Sequence, residues 1–379
     1  MSKKIISEVL LEVANAIETG NFGKKLKVGL TTLGSEHGFE NLVQGAILAK
    51  NPIFDIVLIG ESHKDFESYE AKDEEEAHKI MEDLLDKGEI ASCVTMHYNF
   101  PIGVSTVGRV ITPARGREMF LATTTGTSAT NRVEAMVRNT LYGIATAKSL
   151  GIENPTVGIA NVEGARQVEK ILLDLKGNGY NFEFATSQRA DGGSVMRGND
   201  LLMATPDVMV VDSLTGNLFM KVFSAFNTGG DYEASGYGYG PGIGEDYDRR
   251  ILILSRASGS PVVANALKYA YEIAKGKVNE IAKLEYEKAN NAKLGELISK
   301  LKGKKEGSNS DEVKVPEKEV VTSQISGVDI LDLEDATKVL WKHGIYAESG
   351  MGCTGPIILV NSSKKPNAKE ILKDAGYIS

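Results

Sequence analysis

The chain is poor in cysteine. Its 379 residues hold two, Cys93 and Cys353, too few and too far apart for a disulfide framework or a zinc site built on paired thiols, so each is expected to be a separate thiol in a reducing compartment. Long apolar runs are missing as well: none reaches the ~18 residues that cross a bilayer. The opening Met1-Ser2-Lys3-Lys4-Ile5 soon meets Glu8 and Glu12 in place of a signal-peptide core. The expectation is a cytoplasmic protein without a membrane partner. Basic excess is also lacking. A formal charge of −8 excludes a general nucleic-acid binder, which needs Lys and Arg in surplus on one face.

What is present is an ordinary globular composition, 42% hydrophobic and 25% charged, with 40 glycines that point to the many turns of an α/β fold. The N-terminal stretch places Ile5, Ile6, Val9, Leu10, Val13 and Ile17 at helical spacing. Strand, loop and helix then alternate from Leu26 onward. The continuous run Ile56-Val57-Leu58-Ile59 has the character of a parallel strand covered on both faces, so a doubly wound sheet is expected.

Several strand ends carry small polar residues. Leu121 to Asn131 is rich in hydroxyl groups and opens a helix near Arg132 through a strand-end loop over Thr124 to Asn131, with Thr127, Ser128 and Asn131 as anion ligands and Ser128, Thr130 or Asn131 as the cap. Pro155 to Ala160 delivers Asn161 and Glu163, and Asp207 to Val211 delivers Asp212, Thr215 and Asn217, to the carboxyl edge where open α/β sheets bind ligands. Ile251 to Leu254 leads to Ser255, Arg256 and Ser258, a further anion-holding group. Arg109, Arg115 and Arg117 read as surface or ion-pair residues. Gly229 to Gly244, with Tyr237 and Tyr239, reads as a loop, a lid or a partner surface. No metal site is read.

Near the C-terminus, Glu348-Ser349-Gly350-Met351-Gly352-Cys353-Thr354-Gly355-Pro356 reads as a glycine-rich turn beside a nucleophilic atom. N–H groups at Gly352, Thr354 and Gly355 could stabilise an oxyanion or lower a thiol pKa. A buried, inert thiol is the alternative for Cys353, and it is the favoured reading for Cys93 between Ser92 and Val94. The expected organisation is an α/β domain over 1–305, a charged, mobile linker over 306–321 and a small module over 322–379 carrying Cys353.

Val157-Gly158-Ile159-Ala160-Asn161-Val162-Glu163 and Asp207 through Asn217 resemble the phosphate acyltransferases of phospholipid synthesis, over roughly Leu26 to Gly276. The C-terminal module narrows this: the whole chain resembles the protein C alpha-subunit family of the glycine/sarcosine/betaine reductases. The resemblance implies a three-layer α/β/α sandwich of the isocitrate/isopropylmalate dehydrogenase-like group. It also implies acetyl transfer from an enzyme-bound thioester at Cys353 to inorganic phosphate as co-substrate, giving acetyl phosphate without a cofactor. The implied partners are a thiolase- or ketoacyl-synthase-like protein C beta subunit and selenoprotein A, which carries a carboxymethyl-selenoether. The long acyl-chain handling of the acyltransferases is not carried over. Two other functions stay open: a scaffold for the beta subunit, and a nicotinamide-dependent dehydrogenase of the same fold group. Against the dehydrogenase, no Gly-x-Gly-x-x-Gly follows the first strand.

Overall fold

The computed structural model describes residues 10, 13–14, 25–188, 192–302, 313–328, 333–352 and 355–378. Twelve strands form one sheet: β1 (Leu26–Thr31), β2 (Phe54–Gly60), β3 (Glu67–Glu70), β4 (Ser92–Thr95), β5 (Val104–Ile111), β6 (Glu118–Thr127), β7 (Thr156–Ala160), β8 (Glu183–Phe184), β9 (Val195–Met196), β10 (Val208–Val210), β11 (Gly240–Ile243) and β12 (Ile251–Ile253). Their order is β3-β2-β1-β4-β12-β11-β5-β6-β10-β7-β8, with β9 beside β7.

The runs that read as fully buried strands are buried. Along β2, Ile56 and Leu58 point into one core and Val57 and Ile59 into the other, the two-residue alternation of a strand covered on both faces. Each such side chain contributes roughly 1.5–3 kcal/mol of burial. One face is covered by helices Gly38–Ala49, Arg132–Ser149, Ala165–Gly177 and Ser260–Lys275 with those that follow it. The other carries only Glu74–Asp86, Gly198–Leu202 and Ser213–Ala225. This is a three-layer α/β/α sandwich, as the sequence led us to expect.

The sheet is not parallel throughout. β3, β2, β1, β4 and β12 run one way and β6, β10, β7 and β8 the other, joined by the antiparallel pairs β12–β11, β11–β5 and β5–β6. The carboxyl ends of the two parallel halves therefore lie on opposite edges. Helix Ser213–Ala225 packs on β6 and β5 and runs from one edge toward the other. Its close approach depends on Gly216, where a Cβ would stand 1.7 Å from the Thr123 carbonyl oxygen.

Three sequence readings are corrected here. The threonine-rich stretch is strand as far as Thr127, not loop. The glycine and tyrosine tract is loop from Gly229 to Tyr239, as expected, but it does not stay loop to Gly244: it ends in β11, buried in mid-sheet, and Tyr239 is buried beside it. Glycine is required there because a Cβ at Gly240 would lie 1.8 Å from the Val107 carbonyl oxygen. The residues before Cys353 are strand and not turn: β14 (Ala347–Gly352) and β15 (Gly355–Val360) form an antiparallel ladder in which Gly352 pairs with Gly355. With β13 (Ser323–Ser326) they make a second, three-stranded sheet, packed through Ile358 and Val360 on helices Leu333–Lys342 and Lys365–Asp374. Residues 313–322 carry no helix or strand. Most of the N-terminal helix reading and residues 306–312 of the linker lie outside the described residues.

Candidate functional site

Because β6, β10 and β7 are adjacent and parallel, the segments after them share one edge, as Ser128–Asn131, Asn161–Gly164 and Asp212–Asn217 were expected to do. Three helices, Arg132–Ser149, Ala165–Gly177 and Ser213–Ala225, start there and turn the positive ends of their dipoles to the same side. Asn131 caps the first, its side chain accepting from Glu134 N–H at 3.0 Å. Asp212 caps the third, accepting from Thr215 N–H at 3.1 Å. Helix Ala165–Gly177 has no side-chain cap; it begins at Gly164, in the left-handed region at φ 84°.

Several expected ligands are already engaged. The Ser128 hydroxyl donates to Asn139 Oδ1 and lies 3.2 Å from the Ala135 carbonyl oxygen. Thr215 donates its hydroxyl to Asp212 at 2.6 Å. Asn217 Nδ2 donates to the Thr124 carbonyl at 3.3 Å. Thr127 differs: its Oγ1 is buried without a hydrogen-bond partner among the described residues. Asn161 is exposed and lines a cavity of about 210 Å³ with Met196, Arg197, Leu201, Met209 and Phe219.

Sequence reasoning missed the cation at the centre. Arg132 occupies the first position of its helix, where the dipole disfavours positive charge. It is held there by Asp212 at 2.8 Å and Glu163 at 3.3 Å. Burial alone would raise the Asp212 carboxyl, but the hydrogen bonds from Thr215 and Arg132 outweigh it and hold the group below the usual carboxylate range. The signal was in the sequence: an arginine directly after a capping residue needs acids close by. The side chain of Arg132 stays 42% exposed, enough to meet a bound anion.

The second sheet comes to this same edge. Gly350 of β14 forms an antiparallel bridge with Pro101, β14 packs against β6, and Gly103 N–H donates to the Thr127 carbonyl at 2.9 Å. The stem of the Cys353 hairpin is thus seated beside the end of β6. Cys353 and Thr354 lie outside the described residues.

Arg256, also expected to hold an anion, stands on the opposite edge after β12, and its guanidinium pairs with Glu74 at 3.1 Å. Around it, Lys221 Nζ donates to Ser255 Oγ at 2.8 Å and pairs with the buried Glu233 at 3.0 Å. Ser258 Oγ donates to Glu233 at 3.0 Å. Thr31 donates to Thr95 at 2.8 Å, and His78 Nε2 lies 3.2 Å from Thr95 Oγ1. Burial lowers the pKa of His78; burial first, then His78 and Arg256, lowers that of His97. The structure therefore does not bring Ser255–Ser258 to the edge of Asp212. Lys221, nine residues along the helix that Asp212 caps and roughly 13 Å away at 1.5 Å per residue, links the two.

Cys93 is fully buried in β4, beside Gly29, and burial pushes its thiol far up. Arg109 is consumed by Glu118 at 2.5 Å and Glu272 at 2.6 Å. No helix among the described residues is long and apolar enough to cross a membrane.

Comparison with known proteins gives the family. A family model described as fatty acid synthesis protein matches residues 26–359. The chain is 65% identical to the glycine/sarcosine/betaine reductase complex component C subunit alpha of Peptoclostridium acidaminophilum, covering 100% of this chain and 99% of that one. It is 24% identical to a phosphate acyltransferase of Thermotoga petrophila over 52% of this chain and 67% of the other. A crystal structure of a branched-chain phosphotransacylase from Enterococcus faecalis superposes with TM-score 0.49 at 15% identity, covering 65% of this chain and 99% of that chain. The chain belongs to the family of component C alpha subunits of the glycine/sarcosine/betaine reductase complex, within the larger fatty acid synthesis protein family.

Proposed function

We propose that this chain transfers an acetyl group from a thioester on Cys353 to inorganic phosphate, releasing acetyl phosphate, as one subunit of a reductase complex. The observation that carries the reading is the seating of the Cys353 hairpin stem, through Gly350 and Pro101, at the edge where three helix N-termini and Arg132 converge. Phosphate is held by Arg132 and by N–H groups of the uncapped helix Ala165–Gly177. Its oxygen attacks the thioester carbonyl carbon to give a tetrahedral oxyanion. Attack forms the acyl–oxygen bond to phosphate; collapse restores the carbonyl and breaks the carbon–sulfur bond, with the electron pair leaving on sulfur as thiolate. The engaged hydroxyls of Ser128 and Thr215 shape this edge, and they do not bind phosphate themselves.

The acetyl thioester is supplied by a thiolase-like beta subunit acting on a carboxymethyl-selenoether of selenoprotein A. The test is mass spectrometry of the complex trapped during turnover, which should find the acetyl group on Cys353. Cys353→Ala should abolish acetyl phosphate formation, whereas Cys93→Ala, at a cost of about 1 kcal/mol of stability, should retain most of it. A Cys353→Ala complex working near the wild-type rate would move the nucleophile to the beta subunit.

A further inference from the structure

The three-stranded sheet and its two helices have a core of their own. Ile325, Leu333, Leu340, Ile358, Val360 and Leu372 are buried against one another, apart from the two clusters that cover the large sheet. The other face of the small sheet meets the large domain. Ile357 and Leu359 of β15 are 2% and 8% exposed yet belong to none of the three clusters, so what buries them is the seam. Gly350 stands at that seam: a Cβ there would be 3.6 Å from Ile357, 3.7 Å from Leu359 and 3.8 Å from the Phe100 carbonyl oxygen. β14 is an edge strand of its sheet, and its backbone meets the large domain at the isolated Gly350–Pro101 bridge. Proline has no N–H to donate, so this bridge cannot grow into a ladder that would fuse the two sheets. The seam is also open to solvent here, with Pro101 exposed and Ile102 38% exposed. Just before β13, Glu319 pairs with Lys364 and the Val320 carbonyl accepts from Asn361 Nδ2 at 3.3 Å. The tether proper is therefore 313–318, which carries no helix or strand.

We propose that the unit built on β13, β14 and β15 is a detachable acyl carrier: it leaves the β6 edge as a folded whole, is loaded at the beta subunit, and returns to the edge to meet phosphate. This rests on the reading of Cys353 as the thioester carrier. One sulfur cannot lie within reacting distance, about 3–3.5 Å, of a centre in another subunit and of a phosphate at the β6 edge at the same time, so the thiol must travel between them. The separate core lets the unit move without unfolding. Two aliphatic side chains and one backbone bridge hold it in place, and relative motion is the default for domains whose interface is not large and hydrophobic. Six extended residues span up to about 20 Å, enough for 313–318 to let the hairpin clear the edge.

The test is amide exchange, read by mass spectrometry without phosphate, on the full-length chain alone and bound to the beta subunit. In the complex, residues 100–104 should exchange about 10-fold faster than in the free chain, because β14 no longer covers them, while Ala347–Gly352 stays protected. Residues 100–104 that stay as protected as before, or become more so, would overturn the proposal even if Cys353 is found acetylated. A second measurement weakens the seam. Leu359 faces away from the unit's own core, so Leu359→Asn should leave that core folded. Trp341, the single tryptophan, reports this by its emission, its Nε1 donating to the Ala347 carbonyl at 2.9 Å inside the unit. The beta subunit should acetylate this variant at Cys353 within about twofold of the wild-type rate, whereas release of acetyl phosphate from chain acetylated beforehand should fall on the order of 10-fold. Unchanged release, or equal loss of both steps with native Trp341 emission, would overturn the carrier. Acetyl found on the beta subunit and never on Cys353 would remove the carrier together with the thiol's role, whatever the exchange shows.

Discussion

The two carboxyl edges of the large sheet are built from similar residue types and do different things with them. At the edge of β6, β10 and β7, acids and amides are spent on capping helices and pairing Arg132, and three helix N-termini face outward beside its half-exposed guanidinium. At the edge of β1, β4 and β12, the cations are paired as well, Arg256 with Glu74 and Lys221 with Glu233. What stays half-buried there is a pair of imidazoles whose pKa values burial lowers. The first arrangement suits holding an anion, the second packs two half-buried imidazoles beside paired cations, and one helix, Ser213–Ala225, spans both.

That shared helix is where the comparison breaks most completely. In Gly216→Ala the new methyl would meet the Thr123 carbonyl oxygen at 1.7 Å, and because backbone cannot yield as a side chain does, the helix must lift from β6. Overpacking of this kind costs about 3 kcal/mol. Thermal unfolding should show a clear fall in Tm, and phosphate binding and the amide-exchange protection of the histidine edge should fail together. Loss of one without the other would mean that the helix does not couple the edges.

Arg132→Gln should separate them. Removing the guanidinium leaves Asp212 and Glu163 facing each other without their cation, so the KM for phosphate should rise by on the order of 100-fold, the scale of a lost charge-assisted contact. The histidine edge should be untouched. A KM within about twofold of wild type would transfer anion binding to Arg197 or Arg256.

Acid should attack the edges in sequence. His78 and His97 have folded pKa values below their unfolded value near 6.5, so the unfolded chain binds more protons between those values. Their contribution to stability is complete above pH 6.5 and is lost as pH falls through the folded pKa. Glu74, Glu82, Tyr98 and Arg256 are the charged and titratable neighbours of the pair. Asp212 is lowered from 3.8, so its contribution holds above that value and is lost only as pH falls through its still lower folded pKa. Amide exchange near pH 5.5, about one unit below the unfolded histidine value, should therefore loosen the segments after β1 and β4 while those after β6 and β10 stay protected. Equal loosening would sink the distinction.

How much of this was legible in the sequence follows from what each residue obeys. β2 and β10 were readable because apolar runs have one use in a covered sheet, and the Asn131 cap because its chemistry is local. The strand Gly240–Ile243 at the end of the glycine and tyrosine tract was missed because glycine was weighed as a loop former. Gly240 answers to a neighbour far away in sequence, the Val107 carbonyl of β5. The opposed direction of the two half-sheets, which removes Ser255–Ser258 from the Asp212 edge, is set by β11 and β5 and leaves no local trace. Arg132 was overlooked because its acid partners, Glu163 and Asp212, come from two other strand ends.

The smallest effect is the sharpest probe of the first edge, because it separates two adjacent hydroxyls that the sequence could not tell apart. Ser128 donates to Asn139 and approaches the Ala135 carbonyl, so Ser128→Ala removes one of the two hydroxyls that donate to the buried Asn139 Oδ1, Ser105 at 3.2 Å being the other, and should cost about 1 kcal/mol of stability. It should leave the KM for phosphate where it was. Thr127 Oγ1 is buried and has no partner among the described residues, so Thr127→Val keeps the shape, removes an unsatisfied polar atom and should leave stability equal or slightly higher. If that hydroxyl waits for a phosphate oxygen, the variant should instead raise the KM for phosphate several-fold, the cost of one neutral hydrogen bond of about 1 kcal/mol. Urea titration and phosphate kinetics on both variants read the two quantities independently. Thr127→Val with an unchanged KM would leave its hydroxyl outside the reaction, and Ser128→Ala with a raised KM would reverse the assignment.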